Sequence, residues 1–277
     1  MSRRIASFDA GRGVGGVPSR LASVVAAAVL HLFFVIAPVW AADPKVPPGR
    51  DPGGIAVAII GGGLDYRRQE LASRIARDGE GELIGWDFVD ENRTPFAAAG
   101  GSDPVVGIIV AESSARLLAV RVANGEERQI PQAFRFIRDT PARVALLVTG
   151  PAAPVERGNL VMAARQLTQV LIVVPARLVA PESPGAPATG DASGLLVVAA
   201  VGSVAKGDVS VEADAGAAVG GETHPDDVAA ARIAALAVRL ISKESLLAGS
   251  ALRERLIGLA KARPDGSKLI SGIDHLP

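Results

Sequence analysis

The sequence predicts an α/β fold built on a mostly parallel sheet with helices on both faces. Three observations lead there. Short, continuous apolar runs recur at residues 55–60, 115–122, 143–149, 170–174 and 195–200. A strand buried on both faces reads as such a run, whereas a half-exposed strand alternates. Segments with helical apolar spacing fall between the runs, at 105–113, 130–138 and 159–167, and two longer ones close the chain at 225–242 and 250–262. Strand, helix, strand in repeated order is what crossovers between parallel strands require.

Taken in order, residues 55–60 form the first strand, which leaves through Gly61-Gly62-Gly63. Glycine suits a tight strand exit. The triplet lacks the spacing of a phosphate loop, because Asp65 and Tyr66 follow Gly63 at two and three residues. A short helix is expected over 69–77 and a strand over 83–89, then a polar loop to residue 103. The helix at 105–113 leads to the strand at 115–122, and the helix at 130–138 to the strand at 143–149. The helix at 159–167 precedes the strand at 170–174, and a Pro/Gly-rich loop over 181–194 precedes the strand at 195–200. A short strand is expected at 209–212. Thr223-His224-Pro225-Asp226 reads as a helix start, with Thr223 as N-cap and Asp226 and Asp227 favouring the positive end of the helix dipole. No internal repeat or heptad appears. One domain over 55–265 is expected, with a C-terminal tail at 266–277.

Composition removes several functions. The chain has 277 residues, with Lys+Arg 29 and Asp+Glu 29. With no cationic excess, general nucleic-acid binding is not expected. With no cysteine there is no disulfide, no thiolate metal site and no cysteine nucleophile. No motif implies a cofactor or a metal. Only three histidines are present, His31, His224 and His275. That scarcity matters because most hydrolytic chemistry near neutral pH uses an imidazole.

Residues 1–42 read as a signal peptide. Arg3, Arg4, Arg12 and Arg20 precede an apolar run from Leu21 to Ala42, which ends in small residues. Cleavage is expected after Ala41 or Ala42, giving an exported protein, periplasmic or extracellular. The run is also long enough for an uncleaved membrane anchor, the one route to membrane association. Residues 43–54, rich in Pro and Gly, read as a linker.

Several segments then fall into a recognisable order. Residues 55–60 followed by Gly63-Leu64-Asp65-Tyr66 and Glu70-Leu71 are similar to the first strand and following loop of the subtilisin-like serine proteases. Gly85-Trp86-Asp87-Phe88 resembles a Trp-Asp-Phe strand of that family. Residues 105–111 resemble the helix after its catalytic histidine, and 115–122 the strand after that. Residues 170–175 resemble the strand leading to the oxyanion asparagine, and Val228-Ala229-Ala230 the serine-bearing helix. The resemblance covers most of residues 53–262. It implies a subtilisin-like three-layer fold with a mostly parallel sheet flanked by helices.

The same resemblance places no catalytic triad. It lays Gly61 on the family's aspartate, Gly101 on its histidine and Glu222 on its serine, with the oxyanion asparagine near Leu178. A second line of reasoning needs no alignment. The mechanism requires an imidazole to take and return the serine proton. No histidine lies between residues 32 and 223. The expectation is a domain without proteolytic activity, a pseudoprotease that binds a peptide or protein partner. The segment Leu147-Val148-Thr149-Gly150 resembles the family's peptide-pairing strand. The alternative is an active serine endopeptidase with a rearranged site. The candidate rebuilt site is His224 with Asp103 and Ser102, which the family fold would bring across the cleft. Asp87, Asp90 and Glu91 read as a solvated loop, with calcium ligation, which the resemblance would allow, as the weaker alternative, and Trp86 is expected in the core.

Overall fold

The computed structural model describes residues 43–97, 101–124, 126, 128–148, 154–180, 194–203, 209–216 and 223–276. The described elements are β1 (Ala56–Gly61), α1 (Gln69–Ala72), β2 (Gly85–Asp87), α2 (Asp103–Glu112), β3 (Arg116–Arg121), α3 (Gln129–Arg138), β4 (Ala142–Val148), α4 (Arg157–Gln166), β5 (Leu171–Pro175), β6 (Leu195–Ala200), β7 (Val211–Ala213), α5 (Pro225–Lys243), α6 (Gly249–Leu259), β8 (Lys261–Ala262) and β9 (Lys268–Ile270). They form one sheet in the order β2-β3-β1-β4-β5-β6-β7-β9-β8. Every pairing is parallel except β8 with β9.

Alternation along the strands builds two cores from one sheet. Val57, Ile59, Leu117, Leu146, Val173 and Val198 face the layer formed by α2, α5 and α6. Ala58, Ile60, Leu118, Leu147, Ile172 and Val197 face α3 and α4. This is the expected three-layer architecture, and it explains why the strands read as unbroken apolar runs. The central helix α5 is nearly all buried because small alanines, from Ala229 to Ala237, let it press against α2 and the sheet.

Several segments differ from their sequence reading. Residues 43–54 contain no helix or strand, yet they are strapped to the body. Tyr66 donates its hydroxyl to the Pro44 carbonyl at 2.8 Å, and Arg77 Nη2 donates to the Pro47 carbonyl at 2.6 Å. Asp51 accepts from the Arg77 N–H and from Arg116 Nη1. Composition gave the missing secondary structure but not these side-chain anchors. The segment read as a tail supplies β9, which pairs with β7, and buries Ile270 and Ile273. Three strand residues are too few to show a period. The helix expected over 250–262 stops at Leu259, and Lys261–Ala262 begins a hairpin.

Candidate functional site

Strand β1 delivers Gly61 between β3 and β4, in register with Arg121 and Val148. A β-carbon at Gly61 would collide with the carbonyl oxygen of Val148 and the hydroxyl of Ser102. Gly63 follows with φ +87°, a left-handed conformation that glycine adopts freely. Its carbonyl accepts from Ser102 N at 3.0 Å. A β-carbon at Gly101 would lie 2.6 Å from the Gly63 oxygen and 2.9 Å from Ala97 Cβ. Gly61 and Gly101 are thus brought to one place, where two glycine-rich segments meet backbone to backbone. Neither position has room for a side chain unless the chain moves.

Ser102 is buried, and its Oγ has no hydrogen-bond partner among the described residues. Asp103, the first residue of α2, accepts from Asp65 N at 3.1 Å and from Arg68 Nη1 at 3.3 Å. Burial pushes the Asp103 carboxyl up from its ordinary value, against the opposing pull of the Asp65 N–H and Arg68. Arg68 and Asp65 thus occupy Asp103, and no bond to His224 is formed.

His224 belongs to a different network. Its half-exposed imidazole accepts from Asp226 N at 3.1 Å through Nδ1. The N-cap of α5 is therefore His224 and not Thr223. Pro225 fills the first helical position, where a missing N–H costs nothing, so the capping acceptor must come from the residue just before it. Such a cap contributes about 1 kcal/mol. It also leaves Nδ1 as an acceptor, which places the proton of a neutral ring on Nε2. The acidic pair behind it is also engaged. Asp226 accepts from Ala200 N at 2.8 Å and Arg177 N at 3.2 Å. Asp227 takes Arg177 in a two-point pair at 2.8 and 2.7 Å. Burial raises the Asp227 carboxyl, and Arg177 opposes that rise. Among the described residues, no cluster of three or more His, Asp or Glu side chains could hold a metal.

Arg177 is the residue that sequence reasoning missed. The oxyanion position was placed near Leu178, which is fully buried in the 3-10 turn Ala176–Leu178 after β5. Its neighbour Arg177 carries the polar function there, holding the start of α5. The available signal was a lone arginine after an apolar strand, matched by two consecutive aspartates downstream.

Leu147 and Val148 are buried in β4, which is paired on one side with β1 and on the other with β5. Thr149, Gly150 and Glu222 lie outside the described residues. Two of the three calcium candidates are bridged from within, since Arg121 Nη1 reaches Asp87 at 2.7 Å and Asp90 at 2.6 Å. Trp86, expected in the core, is only half-buried and lines a groove at the sheet edge.

No protein-family model matches the chain, and no curated protein does. Solved structures do. A cold adapted subtilisin-like serine proteinase superposes with a TM-score of 0.53 at 14% identity, covering 83% of this chain and 92% of that one. A lanthipeptide protease gives 0.54 at 16%, covering 77% and 82%. MycP1, an essential component of the type VII (ESX-1) secretion system, gives 0.56 at 15%, covering 81% and 83%. The fold is that of the subtilisin-like serine proteases. At this identity the likeness is one of architecture. Within the subtilisin-like frame, Gly61, Gly101 and Ser102 converge at the C-terminal end of β1, and Arg177, His224, Asp226 and Asp227 assemble where β5 and β6 meet the start of α5. Among the described residues, no helix is long and apolar enough to cross a membrane.

Proposed function

We propose that this chain is an exported subtilisin-like domain that has lost proteolysis and acts by holding a peptide or protein partner. The observation that carries the reading is the lack of room at both glycines, Gly61 being packed on Val148 and Ser102 and Gly101 on Gly63 and Ala97. In the sequence correspondence these are the positions of the family's aspartate and histidine. Proton transfer from a serine needs a carboxylate-oriented imidazole within hydrogen-bond reach. The collision of a Gly61 β-carbon with Val148 and Ser102, and of a Gly101 β-carbon with Gly63, argues against any such pair there. Removing the triad leaves only a residual acceleration of roughly a thousand-fold over water.

The alternative, a serine endopeptidase with a rearranged site, needs another base. His224 offers one nitrogen fewer than a free imidazole, because Nδ1 already caps α5. Export rests on the signal-like residues 1–42, with retention as an anchor when they are uncleaved. Peptide holding rests on the resemblance of Leu147-Val148-Thr149-Gly150 to the family's peptide-pairing strand, which binds by strand addition.

The test is incubation of the purified protein with a mixture of unfolded polypeptides, followed by mass spectrometry of termini. The expected result is saturable retention of intact peptides and no new termini above a blank. New termini that accumulate with enzyme concentration would overturn the reading.

A further inference from the structure

At the outer edge of the sheet, β2 and α3 frame a groove of about 700 Å³. Strand β2 has a neighbour, β3, on one side only. Period-two alternation puts Trp86 and Phe88 on the face opposite Asp87, where they meet Phe136 of α3. The Trp86 ring lies 6.4 Å from Phe88 and 6.5 Å from Phe136, centroid to centroid. All three rings are only half-buried, so the groove has an aromatic floor.

The charges on the rim are not equivalent. The carboxylates are already engaged. Asp78 accepts from the N–H groups of Glu80 and Glu82, and Asp139 accepts from Arg138. The guanidiniums of Arg93 and Arg135 also line the groove, are exposed, and have no ion-pair partner among the described residues. With Asp139 paired by Arg138 and Asp78 held by two backbone N–H groups, the two unpaired guanidiniums outnumber the one carboxylate without a cationic partner, which favours an anionic ligand. Arginine forks match carboxylates two bonds at a time. Aromatic floors take bulky apolar side chains. The open edge of β2 is short, because the bridges Arg77 to Leu83 and Asp87 to Asn92 cover both of its ends. Side-chain capture therefore outweighs strand addition here.

The geometry points to a docking site for an acidic peptide segment. An apolar side chain enters the aromatic floor, and carboxylates on either side of it meet Arg93 and Arg135. None of Gly61, Gly101, Ser102, Asp103 and His224 lines this groove. The site therefore stands or falls independently of whether the chain cleaves peptides.

The experiment uses the full chain carrying Trp40→Phe, which leaves Trp86 as the only tryptophan. Its emission is followed during titration with the blocked peptide Asp-Leu-Phe-Glu. The same is done with blocked Lys-Leu-Phe-Lys and with a ten-nucleotide thymidine strand. A saturable change with the acidic peptide is expected at a Kd below about 1 mM, with the lysine peptide at least about tenfold weaker. The double variant Arg93→Glu and Arg135→Glu, on exposed positions, should melt like the parent and reverse that preference. The proposal is overturned by no saturable change up to about 1 mM. Equal binding of the two peptides, tighter binding of the thymidine strand, or an unchanged preference in the double variant would each overturn it as well.

Discussion

At the end of β1 the molecule is closed by close-packed glycines, whereas at the entry to α5 it is closed by paired charged side chains. Around Gly61 and Gly101 the nearest filling atoms are backbone, the Val148 carbonyl and the Gly63 carbonyl, with the Ser102 hydroxyl and Ala97 Cβ beside them. Around Asp226 and Asp227 the filling atoms are charged, and each has a partner in Arg177, Ala200 or His224. Backbone cannot change rotamer, so the first closure is stiff. An ion pair can be replaced by an apolar pair of similar volume, so the second is substitutable. The two regions therefore respond differently to mutation.

The largest effect is expected from Asp227→Ala. It leaves the guanidinium of Arg177, which is mostly buried, without its two-point partner. Breaking a buried pair costs about 3–5 kcal/mol. Adding Arg177→Met and changing residue 227 to Leu should recover most of that loss. Paired denaturant titrations check it, and a double variant no better than Asp227→Ala would break the contrast with β1.

Next is Gly61→Ala, a single added methyl. Overpacking against backbone costs about 1–3 kcal/mol. The control is Gly107→Ala in α2, whose β-carbon meets nothing within 4 Å. That change should stabilise by up to about 1 kcal/mol, as alanine does inside a helix. Melting temperatures moving in opposite directions would sharpen the claim that β1 is sterically full, and equal shifts would remove it.

The smallest effect is a pH dependence at Asp103. Burial raises its carboxyl above the ordinary 3.8, so the folded state holds this proton more tightly than the unfolded chain does. Its contribution to stability therefore falls as pH rises through the window between 3.8 and the raised value, and returns on acidification. Asp103→Asn keeps an acceptor for Asp65 N and removes the charge. The variant should match or exceed the parent at neutral pH by up to about 1 kcal/mol, with the gap closing as pH falls through that window. A gap that widens on acidification would show that Arg68 outweighs burial.

The layered fold was legible because a doubly covered parallel strand cannot hide its apolar run, as residues 55–60 and 195–200 illustrate. The placement of β1 next to the Gly101 segment was legible only through resemblance, since no local period links residues 61 and 101. Arg177 stayed invisible because its meaning lies in a contact with Asp227, fifty residues away. The N-cap lies one residue beyond Thr223 because the ring nitrogen of His224 serves as the capping acceptor, outside the usual Ser, Thr, Asp and Asn preference. Trp86 reads as core because aromatic residues on a strand usually pack inward, and nothing in the sequence says that β2 is an edge. The strap at 43–54 escaped notice because its anchors are side chains elsewhere, Tyr66, Arg77 and Arg116.

The central claim is that no serine in this subtilisin-like frame is activated. Labelling of the purified full chain with a fluorophosphonate probe, beside an active subtilisin as control, tests it most directly. The account predicts a labelled control and an unlabelled chain, with or without prior denaturation. Stoichiometric labelling of a serine in the folded chain, abolished by denaturation, would contradict it.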